Sequence, residues 1–328
     1  MKIVILGATG LVGQEILKVI EERKISYSKI YLVGSKNSWG KAIRLNGKSE
    51  KVCSVEEALH AKPDYAIFSA GSTVSKEWAP KFAGIGTIVI DNSSAWRTEP
   101  DIPLIIPEIN FDVIRPKDHI IANPNCSTIQ MLMALYPIHR ENRIEKIIVS
   151  TYQSVTGSGQ KAMNQLDGER KGTPYQKFYP HPIENNTLPH CDDFLDNNFT
   201  KEEMKLVHET HKILNDNNIK ITATAVRVPV SGGHSESVYI ETENQINTPY
   251  IKQLLENFEG LKVLDNPSQN LYPMPFFAKG KDEVFVGRIR KDLFNEKALN
   301  LWIVADNLRK GAATNAVQIL QRLIVANK

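Results

Sequence analysis

A chain of 328 residues with a formal net charge of +3 and three cysteines is long enough for two domains and for a core that needs no disulfide staples. Its lysines and arginines are scattered rather than gathered, which argues against a nucleic-acid partner, and no apolar run has the length of a membrane span. Cys53, Cys126 and Cys191 lie far apart without CxxC spacing. That pattern argues against a disulfide scaffold or thiolate metal centre, and a reducing, cytoplasmic setting is expected, with no apolar leader ahead of the first strand.

The chain opens on an apolar strand, Lys2 to Leu6, followed by Gly7-Ala8-Thr9-Gly10-Leu11-Val12-Gly13 and an amphipathic helix from Gln14 to Ile20. Strand, glycine turn and helix in that order form a relative of the dinucleotide fingerprint. Glycines let the backbone reach a pyrophosphate, and the helix start offers N–H groups to its charge. Gly7, Thr9, Gly10, Leu11, Val12 and Gly13 are the candidate contacts, a plain strand-to-helix turn being the other reading. The second strand, Ile30 to Val33, ends in Gly34-Ser35-Lys36-Asn37-Ser38. An enzyme reading the ribose 2′-hydroxyl of NAD usually places a carboxylate there. Hydroxyls and a cation stand here instead, so Ser35, Lys36, Asn37 and Ser38 favour a 2′-phosphate and hence NADP, unless Lys36 is simply a solvated loop lysine.

The alternation continues with a helix from Glu56 to His60 and a strand from Tyr65 to Ala70 closing on Gly71-Ser72. A helix holding Lys76 to Phe82 and a strand from Thr87 to Ile90 follow. This is the pattern of a Rossmann-like, doubly wound parallel sheet. Arg97, in the long connection after Asp91, is either an anion clamp or a surface charge. An apolar segment, His119 to Ala122, then enters Asn123-Pro124-Asn125-Cys126-Ser127-Thr128 and a helix-forming run, Ile129 to Leu135. A turn there puts Cys126 at a helix start, where unpaired N–H groups favour the thiolate that a nucleophile needs. The plain alternative is a small buried hydrophobe beside a turn.

Beyond Cys126 the signal changes. Long strand-like runs cover Ile144 to Gln153, Ile219 to Val230, Ser235 to Ile240, Glu283 to Arg290 and Leu299 to Ala305, with helices at Lys201 to Asn215 and Pro249 to Phe258. These predict an α+β domain with a mostly antiparallel sheet and helices on one side. Pro174 to Pro189 is irregular, and Ala316 to Ile324 reads as a terminal helix. The boundary is expected near Cys126, with a first domain over 1–126 and a second from 127, which puts the cysteine at the junction where clefts form; periodicity does not say on which domain the terminal segment, 307–328, docks. His234 follows Ser231-Gly232-Gly233, so the backbone can swing its imidazole across a cleft, and a near-neutral pKa would suit it to proton exchange. A turn histidine bonded to backbone is the other reading. Arg227 interrupts an apolar strand as either a carboxylate clamp or an edge charge. Glu202 and Lys205 share a helix face as either a surface ion pair or a site for a zwitterion. His208 and His211 lack further ligands nearby, and His181, His190 and Cys191 are loosely spaced, so no metal is expected. In Gly157-Ser158-Gly159, Ser158 and Gly159 read as a hinge or a point of close backbone approach rather than a phosphate loop, because no Gly-Lys-Ser follows.

With Gly7 to Gly13, Asn125-Cys126-Ser127, Gln153, Arg227 and His234 in this order, the chain resembles the aspartate-semialdehyde dehydrogenases over nearly its whole length, in the shorter-chain bacterial branch. The resemblance implies NADPH-dependent reduction of β-aspartyl phosphate to aspartate β-semialdehyde and phosphate, on the route to lysine, threonine, methionine and diaminopimelate. It implies Cys126 as nucleophile, His234 as acid/base and Gln153 as the residue that orients intermediates. It implies Arg227 and Glu202 on the substrate's carboxylate and amine, Arg97, Asn125 and Lys205 at the phosphate, and Ser69, Ala70, Gly71, Ser158, Gly159 and Asn307 near the cofactor. It also implies a homodimer formed through the second domain, or a dimer of dimers, with the terminal helix returning to the cofactor domain. One departure is Asn37, where the family's 2′-phosphate loop commonly has Arg between two serines; NADP preference is expected to be weaker for it.

The chemistry fits the residues. A Cys126 thiolate attacks an acyl phosphate, a tetrahedral oxyanion collapses to a thioester, and hydride from NADPH carries the thioester to a hemithioacetal that releases aldehyde. The competing enzyme is an N-acetyl-γ-glutamyl-phosphate reductase, whose substrate has one more methylene and an acetamide in place of the amine. A competing class is a non-catalytic dinucleotide sensor, against which the retention of both Cys126 and His234 speaks.

Overall fold

The computed structural model describes residues 1–326 and divides into two compact units: Met1–Asn125 together with the chain from Ala312 onward, and Cys126–Gly311. The first unit alternates strands and helices. In order they are β1 (Lys2–Leu6), α1 (Leu11–Glu22), β2 (Lys29–Val33), β3 (Ala42–Leu45), β4 (Lys48–Cys53) and α2 (Val55–His60). Then come β5 (Tyr65–Phe68), α3 (Ser72–Gly84), β6 (Ile88–Asp91), α4 (Pro107–Asn110) and β7 (Ile120–Ala122). The sheet runs β3-β4-β2-β1-β5-β6-β7, parallel throughout except for the antiparallel β3–β4 pair. Chain order reverses beside β1, the position at which open α/β sheets bind ligands.

Strand β1 is apolar at every residue after the first because both its faces are covered. Ile3 and Ile5 join Ile16, Ile20 and Leu320 in one layer, while Val4 and Leu6 join Phe68 and Phe82 in the other. The terminal helix, Thr314–Ala326, packs on α1 and adds Val317 and Leu323 to the first layer. At roughly 1.5–3 kcal/mol per fully buried aliphatic side chain, this helix is an integral part of the unit. The β3–β4 hairpin is not among the elements expected above. Asn46 and Gly47 both take positive φ, 49° and 74°, which is the backbone of a type I′ hairpin turn.

The second unit contains α5 (Cys126–Glu141), β8 (Ile144–Gln153), α6 (Gln160–Lys171), α7 (Lys201–Leu214), β9 (Lys220–Arg227) and β10 (His234–Thr242). It continues with α8 (Thr248–Glu256), β11 (Leu261–Val263), α9 (Pro275–Ala278), β12 (Val284–Lys291) and β13 (Ala298–Ala305). Its sheet runs β11-β12-β13-β10-β8-β9, mixed but mostly antiparallel, with parallel pairs only at its two edges. Helix α5 is buried over most of its length and packs on β8, β10, β12 and β13 as well as on α7 and α8. Side chains alternate along β8, so Val149, Thr151 and Gln153 are buried while Ile148 and Tyr152 are exposed. Helix α7 begins with a capping box between Thr200 and Glu203, and Asn215 ends it in the left-handed conformation. Helix α6 was not predicted; its sequence has a weak apolar face, and it starts directly from the Gly159 turn.

Candidate active site

Cys126 is the first residue of α5 and half-buried. The other two cysteines are poor nucleophiles: burial pushes the Cys53 and Cys191 thiols up to about 11. A methyl placed on Gly311 would lie 2.8 Å from Cys126 Cβ, so a π-helical turn, Arg309–Ala313, passes directly against the thiol's side chain. Beside Cys126 on the helix, Ser127 Oγ accepts a hydrogen bond from Gln153 Nε2 at 3.1 Å. The same Gln153 amide reaches Glu202 Oε1 at 3.1 Å and Thr151 Oγ1 at 3.3 Å. Gln153 is thereby fixed between α5, its own strand and α7.

Glu202 and Lys205 form an ion pair of 3.0 Å across one turn of α7, and Asp192 adds a second carboxylate 2.7 Å from the same ammonium. Burial alone would lower the Lys205 pKa, but Glu202 and Asp192 outweigh it and hold the pKa above the ordinary value. Lys205 is therefore a permanent cation. Glu202 is buried at 7% exposure, unlike the solvated surface pair that was one of the two sequence readings.

Arg227 ends β9 at 5% exposure, and one guanidinium nitrogen donates to the main-chain oxygen of Ser154 at 2.7 Å. Its Nε has no partner. His234, the first residue of β10, is fully buried. The Ser154 N–H donates to His234 Nδ1 at 3.1 Å, and Ser154 Oγ lies 3.2 Å from the same nitrogen. A main-chain N–H can only donate, so Nδ1 is the acceptor and the ring proton sits on Nε2, which has no partner. Arg227 and His234 converge on Gly157: a methyl there would lie 2.9 Å from Arg227 Nη1 and 3.0 Å from His234 Nε2. Two unsatisfied buried donor atoms, one on each of these residues, call for an acceptor. Burial, with the Arg227 charge adding to it, lowers the His234 pKa to about 3, and Glu202 only partly opposes this. The resting imidazole is a neutral hydrogen-bond donor.

Asn307 Oδ1 accepts from Ser154 Oγ at 3.1 Å, from Thr156 Oγ1 at 3.0 Å and from the Gly233 N–H at 3.3 Å. It ties the turn after β8 to the residue before His234. Ser158 closes that turn, and Gly159, at φ +86°, leads into α6. Ser154, Thr156 and Gly157 carry as much of the geometry as the residues singled out from sequence. Their signal was faint, a Ser/Thr/Gly cluster at a strand end. His211 Nε2 is 2.8 Å from the main-chain oxygen of Ile219, and among the described residues no three His, Cys, Asp or Glu side chains gather as a metal site.

In the first unit, Gly7 to Gly10 join β1 to α1, whose first turn holds Leu11, Val12 and Gly13 and whose start has no side-chain cap. Gly7 takes φ +89°, and a methyl on it would lie 2.3 Å from the Ser69 main-chain oxygen. The Gly7 turn and the Ser69-Ala70-Gly71 loop therefore touch backbone to backbone, leaving a cradle without side chains, which suits a pyrophosphate. Ser35, Lys36 and Asn37 are exposed after β2, while Ser38 is nearly buried. Arg97 is buried at 8% exposure and donates to the main-chain oxygens of Asn123 (2.9 Å) and Asn92 (2.8 Å). The sequence alternative of a surface charge is ruled out. Asn125, the last residue of this unit, is 6% exposed.

Both units match the semialdehyde dehydrogenases. The profile described as "Semialdehyde dehydrogenase, NAD binding domain" matches residues 2–116, and "Semialdehyde dehydrogenase, dimerisation domain" matches 135–310. Aspartate-semialdehyde dehydrogenases from Aquifex aeolicus and Legionella pneumophila are 50% and 47% identical to the chain. The first alignment covers 98% of each chain; the second covers 98% of this chain and 95% of the relative. A crystal structure of aspartate semialdehyde dehydrogenase II from Vibrio cholerae, complexed with ASA, superposes with a TM-score of 0.94 at 44% identity, covering 98% of each chain. The chain belongs to the aspartate-semialdehyde dehydrogenase family. Its first domain is a nicotinamide-dinucleotide-binding domain. No described helix is long and apolar enough to cross a membrane.

Proposed function

We propose that the protein catalyses the NADPH-dependent reduction of L-aspartyl β-phosphate to L-aspartate β-semialdehyde and phosphate through a thioester on Cys126. The reaction would serve lysine, threonine, methionine and diaminopimelate biosynthesis. The observation that carries this reading is the convergence of the unsatisfied Nε2–H of His234 and the guanidinium of Arg227 on Gly157, in the unit that begins with Cys126. The Vibrio cholerae relative, solved with ASA, supports the choice of substrate.

Cys126 attacks the acyl carbon, its thiol proton leaving with the departing phosphate, and a C–S bond replaces the C–O bond to phosphorus. The tetrahedral oxyanion would accept from His234 Nε2–H and from N–H groups at the start of α5. When bound, the reduced nicotinamide supplies the hydride that converts the thioester to the hemithioacetal level. Collapse of the hemithioacetal oxyanion frees the aldehyde and the Cys126 thiolate, which takes up one proton. His234, in the acid/base position, acts as a hydrogen-bond acid: its Nε2–H donates to the oxyanion in both tetrahedral steps, and Gln153 orients the acyl group. Arg227 clamps the substrate's α-carboxylate as a bidentate donor and Glu202 pairs with its α-amine. Lys205, Arg97 and Asn125 hold the phosphate.

For the cofactor, Gly7, Thr9, Gly10, Leu11, Val12 and Gly13 would cradle the pyrophosphate, and Ser35, Lys36, Asn37 and Ser38 the 2′-phosphate. Ser69, Ala70, Gly71, Ser158, Gly159 and Asn307 would complete the nicotinamide and ribose contacts. The working state is a homodimer through the second domain, or a dimer of such dimers, in a reducing cytoplasm that keeps the thiol available. The test is phosphate-dependent reduction of NADP+ with aspartate semialdehyde and with N-acetylglutamate semialdehyde side by side. A clear preference for the aspartyl aldehyde is expected. Preference for the glutamyl aldehyde would make the protein an acylglutamyl-phosphate reductase instead.

A further inference from the structure

Glu236 is a buried carboxyl to which the chemistry above gives no task. It lies two residues after His234 on β10, so the two side chains share the inward face of the strand. Across the sheet it stands opposite Thr151 on β8 and Ile303 on β13, and like His234 it is 0% exposed. Neither carboxyl oxygen has a hydrogen-bond partner, and neither does Oε1 of Gln130. Gln130 sits one helical turn after Cys126 on α5, fully buried, and its Nε2 donates to the main-chain oxygen of His234 at 3.5 Å. The Gln130 side chain also acts on the Glu236 carboxyl, opposing the effect of burial without overcoming it.

We propose that Glu236 is a positioning residue: acting through the Gln130 side chain, it fixes the main chain at His234 and so holds the imidazole in register with the Cys126 helix. Burial raises the Glu236 pKa well above the ordinary carboxylate range, so the group is a neutral acid. Its proton turns one unsatisfied acceptor into a donor for another. The carboxyl O–H donates to Gln130 Oε1, and Gln130 Nε2 donates to His234 O, which gives Gln130 Oε1 and one carboxyl oxygen their partners in one line. A leucine would fill the same space without the desolvation cost of a carboxyl, so the acid is better explained by what it holds than by packing.

The inference rests on His234 being the acid/base of the reaction, and the test separates the two. Steady-state kinetics with aspartate semialdehyde, phosphate and NADP+ are measured for Glu236→Leu, Glu236→Gln and His234→Asn, together with Tm. Glu236→Leu is expected to lower kcat on the order of 10-fold to 100-fold, the scale of a small misplacement of a catalytic group. Its KM should change little and its Tm should stay level or rise. Glu236→Gln, a neutral donor of the same shape, is expected to recover at least about a third of kcat. Full kcat in Glu236→Leu, or equal loss in both variants, would overturn the proposal. If Glu236→Leu does not fold, Gln130→Met tests the same line from its other end: a kcat loss with unchanged KM supports it, and an unchanged kcat overturns it. A slow His234→Asn beside an undiminished Glu236→Leu removes only this inference. A fully active His234→Asn removes the role of His234 itself.

Discussion

The turn between β1 and α1 owes its shape to the lack of side chains, whereas the turn after β8 is shaped by them. In the first, Gly7 sits at φ +89° with no room for a methyl, and backbone meets backbone. In the second, Ser154, Thr156, Asn307, His234 and Arg227 are bonded into one buried cluster around Gly157. Under the proposed function, the difference follows from what each would hold. A pyrophosphate is bound by N–H groups and tolerates any side chain that stays away. A reacting acyl group needs donors fixed before it arrives, because reorganisation during the reaction would cost rate.

The largest effect should come from the cysteine. Cys126→Ala is expected to remove turnover, by on the order of 10⁴-fold or more, while NADPH binding measured by fluorescence titration stays nearly intact. Loss of both together would erase the contrast between a cofactor unit and an acyl unit. Next is the backbone cradle: Gly7→Ala meets both a positive φ and the Ser69 oxygen, so cofactor binding should fall on the order of 100-fold or more, reported by the same titration. His234→Asn should lower kcat on the order of 10²-fold or more, and unchanged rates across pH would remove it from the mechanism.

Acid stability sharpens the same comparison. His234 is neutral in the fold, with its pKa held near 3 by burial and by Arg227, but it protonates near 6.5 when unfolded. The unfolded chain binds more protons between these values, so stability contributed by the neutral ring is complete above about pH 6.5 and declines as pH falls towards about 3. His234→Asn should flatten that acid limb in urea titrations run at several pH values. The smallest effect is expected at the 2′-phosphate loop. Lys36→Ala should weaken NADPH on the order of 3-fold to 10-fold and NADH hardly at all, since one exposed lysine is a single, screened contact. Equal losses would refute the assignment of Lys36 to the 2′-phosphate.

Features that translate directly into residue type could be read from the sequence. Gly7 to Gly13 announced a backbone cradle, the Pro-Asn-Cys turn announced a thiol at a helix start, and the unbroken apolar run of β1 announced a strand covered on both faces. The β3–β4 hairpin could have been read too, because Asn46-Gly47 is a standard hairpin dipeptide. Helix α6 was harder, since its apolar face is weak. What the sequence could not supply was non-local. The neutral state of His234 arises from burial and from a guanidinium seven residues earlier in the chain, brought close by the pairing of β8 with both β9 and β10. The grip of Ser154 on the imidazole and of Asn307 on Ser154 spans 80 and 153 residues. Glu236 was not singled out from sequence, because its burial depends on the packing of α5 on β10.

The most direct test of the account is the mass of the protein after aspartate semialdehyde, phosphate-free buffer and NADP+ are mixed in a single turnover and quenched in acid. The account predicts an aspartyl adduct that maps to the peptide containing Cys126 and disappears when phosphate is added. An adduct on any other residue, or turnover with none on Cys126, would contradict it.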